Sequence, residues 1–120
     1  MSDHIRLRAP VKIKDGRYDE FRETCEGLAK AVKEKDPGTV SYSAFVDEET
    51  GEGFFIEHYR DSDAMLAHFG NAAPLFPPIF DICEVLPTEV YGNPSAAARE
   101  ALESFETAPI FISQIVDTED

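Results

Sequence analysis

An α+β fold of the ferredoxin-like kind, β-α-β-β-α-β with a helical C-terminal extension, is predicted by three observations. Four stretches carry the residues of strands, the first alternating cleanly with period two. Two intervening stretches read as helices, one by apolar residues at three- and four-residue steps and one by its capping side chains. The 120 residues, 42% of them hydrophobic, suffice for one core and not for two.

The first strand spans residues 5–13, with Ile5, Leu7, Ala9, Val11 and Ile13 on one face and Arg6, Arg8, Pro10 and Lys12 on the other. Pro10 lacks the N–H a ladder needs, which predicts an edge or a bulge there. Asp15 and Gly16 open a helix whose inner face is Tyr18, Phe21, Cys25, Leu28, Ala29 and Val32; Asp36-Pro37-Gly38 stops it. Strands over Thr39–Asp47 and Phe54–Arg60 flank the acidic loop Glu48–Gly53, so they are expected to be antiparallel neighbours. Asp61-Ser62-Asp63 caps a short second helix that Gly70-Asn71 ends. The proline-rich, apolar run Ala72–Phe80 reads as a lid or a turn of helix packed over something. A fourth strand is expected over Ile82–Tyr91, broken or edged at Pro87. Asn93-Pro94-Ser95 then starts a helix over Ala96–Phe105, and the apolar stretch Pro109–Val116 needs covering, for which a subunit neighbour is one means. Asp117–Asp120 is expected to fray. The organisation is therefore a domain over residues 1–92 and a C-terminal helix and tail over 93–120, packed on the domain or on a partner.

Net charge is −13, a sign that repels phosphate backbones and anionic lipid and excludes nucleic acid as a partner. Nine of the eleven Lys and Arg lie within residues 1–35, leaving the rest of the chain strongly acidic. The opening residues lack the apolar run of a signal peptide and no stretch is long enough to span a membrane, which predicts a cytoplasmic protein. Cys25 and Cys83 match no metal spacing, sit among apolar neighbours and read as buried free thiols. The acidic loop 47–52 reads as a solvated hairpin tip, and no metal-binding histidine cluster, Ser-His-Asp order or phosphate loop is present.

Asp36-Pro37-Gly38-Thr39-Val40-Ser41-Tyr42, then Phe55-Ile56-Glu57-His58-Tyr59-Arg60-Asp61-Ser62-Asp63-Ala64 running into Leu66-Ala67-His68-Phe69, resemble in order and spacing the antibiotic biosynthesis monooxygenase (ABM) domain family over about residues 4–92. The resemblance implies a dimeric α+β barrel, two sheets paired across a two-fold axis, with one pocket per subunit between sheet and helices. A sheet covered by helices on one face leaves an apolar second face, and a symmetric homodimer buries it. It also implies oxidation of a small electron-rich aromatic, a quinol or polyphenol, by molecular oxygen with no cofactor, since the deprotonated substrate is itself the electron donor. The chain has no Trp and its first strand no Asn, which disfavours the haem-degrading branch. A non-catalytic ligand-binding or assembly dimer of the same fold is the alternative, because a fold does not fix a function.

Proton removal from a phenol calls for a base that titrates near neutrality, and His68 matches the family's helix histidine, which makes it the first candidate. A histidine satisfied locally at a helix end is the plainer reading of the same residue. Glu57 and Tyr59 match the family pattern and either line the pocket or hold the sheet, while His58 points to the opposite face. Tyr42 and Asn71 are further polar candidates for substrate binding, and Phe55, Phe69, Phe76 and Phe80 are candidate walls.

Overall fold

The computed structural model describes residues 3–118. Its elements run β1 (Ile5–Ile13), α1 (Tyr18–Lys35), β2 (Thr39–Asp47), β3 (Glu52–Tyr59), α2 (Ser62–Ala72), a 3-10 turn (Ala73–Leu75), α3 (Pro77–Ile82), β4 (Cys83–Val85), β5 (Glu89–Tyr91), α4 (Ala96–Glu103) and β6 (Ile110–Ile112). The sheet order is β2-β3-β1-β5-β6, with β4 also paired to β1. All pairs are antiparallel except β5 and β6, which run parallel. The first four strands and two helices thus give the predicted α+β unit.

The period-two pattern decides which face is covered. On β1, Ile5, Leu7, Val11 and Ile13 are buried, and on β3 so are Gly53, Phe55, Glu57 and Tyr59. Phe21, Leu28 and Val32 of α1 and Met65 and Ala72 of α2 supply the helix side of that core. Burial of such side chains contributes about 1.5–3 kcal/mol each. Asp61 caps α2 through Oδ1, which accepts from the Ala64 N–H at 2.8 Å. Gly38 has a steric reason: a Cβ there would lie 2.6 Å from the Ala64 Cβ, so only glycine lets the α1–β2 turn abut the start of α2. That contact brings Asp36 to α2.

Several boundaries differ from the sequence expectation. The fourth strand is two short ones, β4 and β5, because Leu86-Pro87-Thr88 interrupts the ladder at a residue without an N–H. β1 is central rather than an edge strand, and its own Pro10 faces this interruption: β4 pairs Val11–Ile13 and β5 pairs Arg6–Arg8. α2 runs through Gly70 and Asn71 to a buried Ala72, tertiary packing overriding two poor helix formers. The proline-rich run resolves into the 3-10 turn and α3, with prolines at early helical positions where a missing N–H costs nothing. α4 ends at Glu103, two residues before Phe105. Within Pro109–Val116, Ile110–Ile112 joins the sheet, and Ile115 and Val116 stay 85% and 75% exposed. Of the segment expected to fray, Glu119 and Asp120 lie outside the described residues, as do Met1 and Ser2.

The other sheet face carries Phe45 stacked on Phe54, Arg8 over the Phe54 ring, and His4 against His58 with ring nitrogens 2.7 Å apart. Both cysteines are free, Cys83 buried and Cys25 half-buried, and burial pushes their thiols up to about 11 and about 12, so neither is a ready nucleophile. Among the described residues no helix is long and apolar enough to cross a membrane.

Candidate functional site

A cavity of about 350 Å³ lies between the covered sheet face and the helices. Its floor is Leu7, Ala9 and Val11 of β1, Tyr42 of β2, and Phe55 and Glu57 of β3. Phe69, Phe76, Ile79 and Phe80 wall it, and Val85, Thr88 and the segment 104–107 after α4 complete it. Strand pairing sets Glu57 between Leu7 on one side and Tyr42 on the other. It is the one carboxylate of a floor that is otherwise apolar and aromatic.

Behind that floor three buried groups, Tyr59, His68 and Asp36, are linked, together with the exposed Asn71. The Tyr59 hydroxyl donates to Glu57 Oε1. His68 Nε2 stands 3.9 Å from the same oxygen, an ion-pair distance too long for a hydrogen bond. On its other side His68 Nδ1 lies 2.7 Å from Asp36 Oδ2, with the two side chains 1% and 4% exposed. An ionised carboxylate only accepts, so Nδ1 carries the proton and Nε2 is left facing Glu57. Asn71 Nδ2 donates to Asp36 Oδ1 at 2.5 Å and fixes that carboxylate in turn. The rings of Tyr42, Tyr59, Phe69 and Phe76 surround the imidazole at centroid distances of 5.2 to 6.4 Å.

Burial raises the proton affinity of Glu57 above the usual carboxyl range, and the Tyr59 hydrogen bond and the neighbouring His68 oppose it. Burial, together with the Glu57 carboxylate, also pushes the phenols of Tyr59 and Tyr42 upward, so both remain protonated donors. The ensemble offers a carboxyl group poised to exchange a proton with a ligand, held by a phenol and backed by an imidazole-carboxylate pair. Among the described residues no group of three or more His, Cys, Asp and Glu is placed to hold a metal ion.

The candidates read from the sequence fall into three groups. Tyr42, Phe55, Glu57, Phe69, Phe76 and Phe80 line the cavity. His68 and Tyr59 touch Glu57 from behind without lining it, and Asn71 reaches only Asp36 and the Lys35 carbonyl. His58 is on the opposite face, beside His4. Sequence reasoning gave Asp36 no role at the site, reading it as a helix stop and as the start of the family-like stretch, read Phe105 only as part of the apolar face of the last helix, and missed Thr88, Ser104, Glu106 and Thr107. An acid immediately before Pro-Gly ends many helices, so nothing local marks Asp36 as the partner of a histidine 32 residues on.

Residues 5–73 match the family model described as antibiotic biosynthesis monooxygenase. No curated protein matches the chain in sequence. Among solved structures, MupZ from Pseudomonas fluorescens superposes with a TM-score of 0.88 at 20% identity, over 100% of this chain and 91% of that one. A conserved protein from Methanosarcina mazei Go1 gives 0.66 at 20% identity, over 73% of this chain and 90% of that one. Rv0793 from Mycobacterium tuberculosis gives 0.66 at 16% identity, over 78% and 98%. The likeness in fold to MupZ therefore extends through the C-terminal helix and strand, whereas the other two cover about three quarters of the chain.

Proposed function

Because the chain belongs to the antibiotic biosynthesis monooxygenase family, we propose that it is a cofactor-independent monooxygenase acting on a small electron-rich aromatic of the quinol or polyphenol type. One observation supports this above all: Glu57, a buried carboxyl of raised proton affinity, stands on the floor of a cavity walled by phenylalanines. A neutral phenol reacts poorly with dioxygen and its anion readily gives up an electron, so a base in an apolar pocket is the least machinery that suffices.

Glu57 takes the phenolic proton, and the phenolate passes one electron to dioxygen to give a phenoxyl radical and superoxide. These combine at a ring carbon that bears hydrogen, and Glu57 returns its proton to the new peroxide. Loss of the ring C–H proton with cleavage of the O–O bond leaves a second carbonyl and releases water. One phenol and one dioxygen thus give one quinone and one water, with both remaining electrons drawn from the substrate. In this reading Tyr59 and His68 are positioning residues that hold the Glu57 carboxyl, and Asp36 with Asn71 holds His68. A second copy pairs through the outer sheet face and leaves the cavity to each subunit.

Oxygen consumption with a panel of hydroquinones and naphthalenediols tests the proposal. Uptake above the buffer rate with at least one member, abolished in Glu57→Gln, is expected. No uptake with any member would move the assignment to a non-catalytic ligand-binding dimer of the same fold.

A further inference from the structure

We propose that the loop Ser104–Thr107, together with Thr88, is the specificity-determining end of the cavity and restricts it to uncharged ligands with a hydrogen-bond donor at each end. The inference rests on the reading of the cavity given above, and not on the oxidation proposed for it.

Position across the sheet is the first argument. Tyr42 and Glu57, register partners on β2 and β3, form one polar end. β1 follows with Leu7, Ala9 and Val11, all apolar. Thr88, 7% exposed, comes next, immediately before β5. Two strand spacings across and two residues along the strand separate it from Glu57, about 12 Å at about 4.8 Å per step and about 3.4 Å per residue. The Ile110 N–H donates to the Thr88 carbonyl at 2.8 Å, which ties the segment leaving α4 to this end. The Phe105 ring meets Phe69 at 5.4 Å, and Ser104, Glu106 and Thr107 beside it line the cavity.

Charge is the second. None of the residues lining the cavity is Lys, Arg or His, while two of them are carboxylic acids, the buried Glu57 on β3 and the exposed Glu106 after α4. An acid or a phosphate ester would meet two carboxyl groups and no counter-charge, with only the neutral hydroxyls of Tyr42, Thr88, Ser104 and Thr107 to set against them, an arrangement that disfavours it. A hydroxyl finds an acceptor at either end. Size is the third: 350 Å³ is more than twice the roughly 150 Å³ apolar cavity that admits one benzene, so the space suits two or three fused rings.

Calorimetric titration at pH 7 with 2,6-dihydroxynaphthalene, 2-naphthol and 6-hydroxy-2-naphthoic acid reads both halves of the proposal. The diol is expected to bind at least about tenfold more tightly than the acid, and about threefold or more tighter than the mono-ol. Glu106→Gln is expected to narrow the first gap and Glu106→Lys to close it, both at an exposed position that leaves the fold intact by circular dichroism. Thr88→Val is expected to remove the preference for diol over mono-ol. Equal binding of the acid and the diol by the native protein, no binding of any of the three, or an unchanged ratio in Glu106→Lys would overturn the inference. A protein that discriminates among the three but consumes no oxygen sinks the monooxygenase and spares this loop; one that consumes oxygen and binds them alike does the reverse.

Discussion

Glu57 and His58 are consecutive residues of one strand, and the pleat sends them to opposite faces of the sheet. Glu57 enters a closed side where the Tyr59 hydroxyl and His68 meet its carboxyl group, and Asp36, itself held by Asn71, meets His68. His58 enters an open side, where the ring of His4 packs against it and where Phe45 remains 47% exposed. The histidines make the same contrast: His68 is 1% exposed and clasped by a carboxylate, whereas His58 is half-buried against another imidazole. Residue type alone does not assign chemistry here. What differs is the degree of burial, and the covered face combines the burial that shifts a proton with an apolar cavity.

The largest effect that would break this contrast is on turnover. Glu57→Gln is expected to lower oxygen uptake by about 100- to 10,000-fold, the usual worth of a general base, while His58→Ala stays within about twofold of the native rate. The opposite ranking, read in the same oxygen-electrode assay, would put the reactive side on the outer face. Stability comes next. Asp36→Ala leaves the buried His68 without its acceptor and is expected to cost about 1–3 kcal/mol, seen as a lower urea midpoint at unchanged slope.

That Asp36 needs such an experiment reflects what a sequence can carry. Period-two and helical spacings gave the strands, the helices and their order because those patterns are local. Alternation grouped Glu57 with Tyr59 against His58, but a pleat has two faces and the pattern does not say which is covered; the helices decide that. Asp36 meets His68 through a turn made possible by Gly38 against Ala64, a contact between distant segments that no spacing encodes. The split of the last strand was half legible: Pro87 marked the break, while the opposing Pro10 suggested an edge and instead faces the gap in a central strand.

A pH series sharpens the comparison further. The folded Glu57 carboxyl keeps its proton at pH values where the unfolded one, near 4.5, has lost it. The folded state then binds more protons, so this residue's contribution to stability is present at low pH and is lost as pH rises from about 4.5 through the raised folded value. Urea midpoints are expected to fall over that window in the native protein and to fall less in Glu57→Gln; parallel curves would show that the carboxyl is not perturbed. The smallest effect belongs to the open face, where His58→Ala is expected to cost about 1 kcal/mol or less in the same titration at pH 7.

β6 is pinned beside β5 by its parallel register and by the Ile110–Thr88 hydrogen bond, so the residues joining α4 to β6 hang between two fixed ends. Doubling the length of such a connection adds only about 0.6 kcal/mol of closure entropy. A change at Glu57, by contrast, disturbs buried partners on β3, α2 and the α1–β2 turn together. Drift in a lineage carrying this architecture therefore meets unequal resistance. Insertions and exchanges after α4 are expected to cost folding little and those on the covered face more, so drift would reshape the rim of the cavity sooner than its floor.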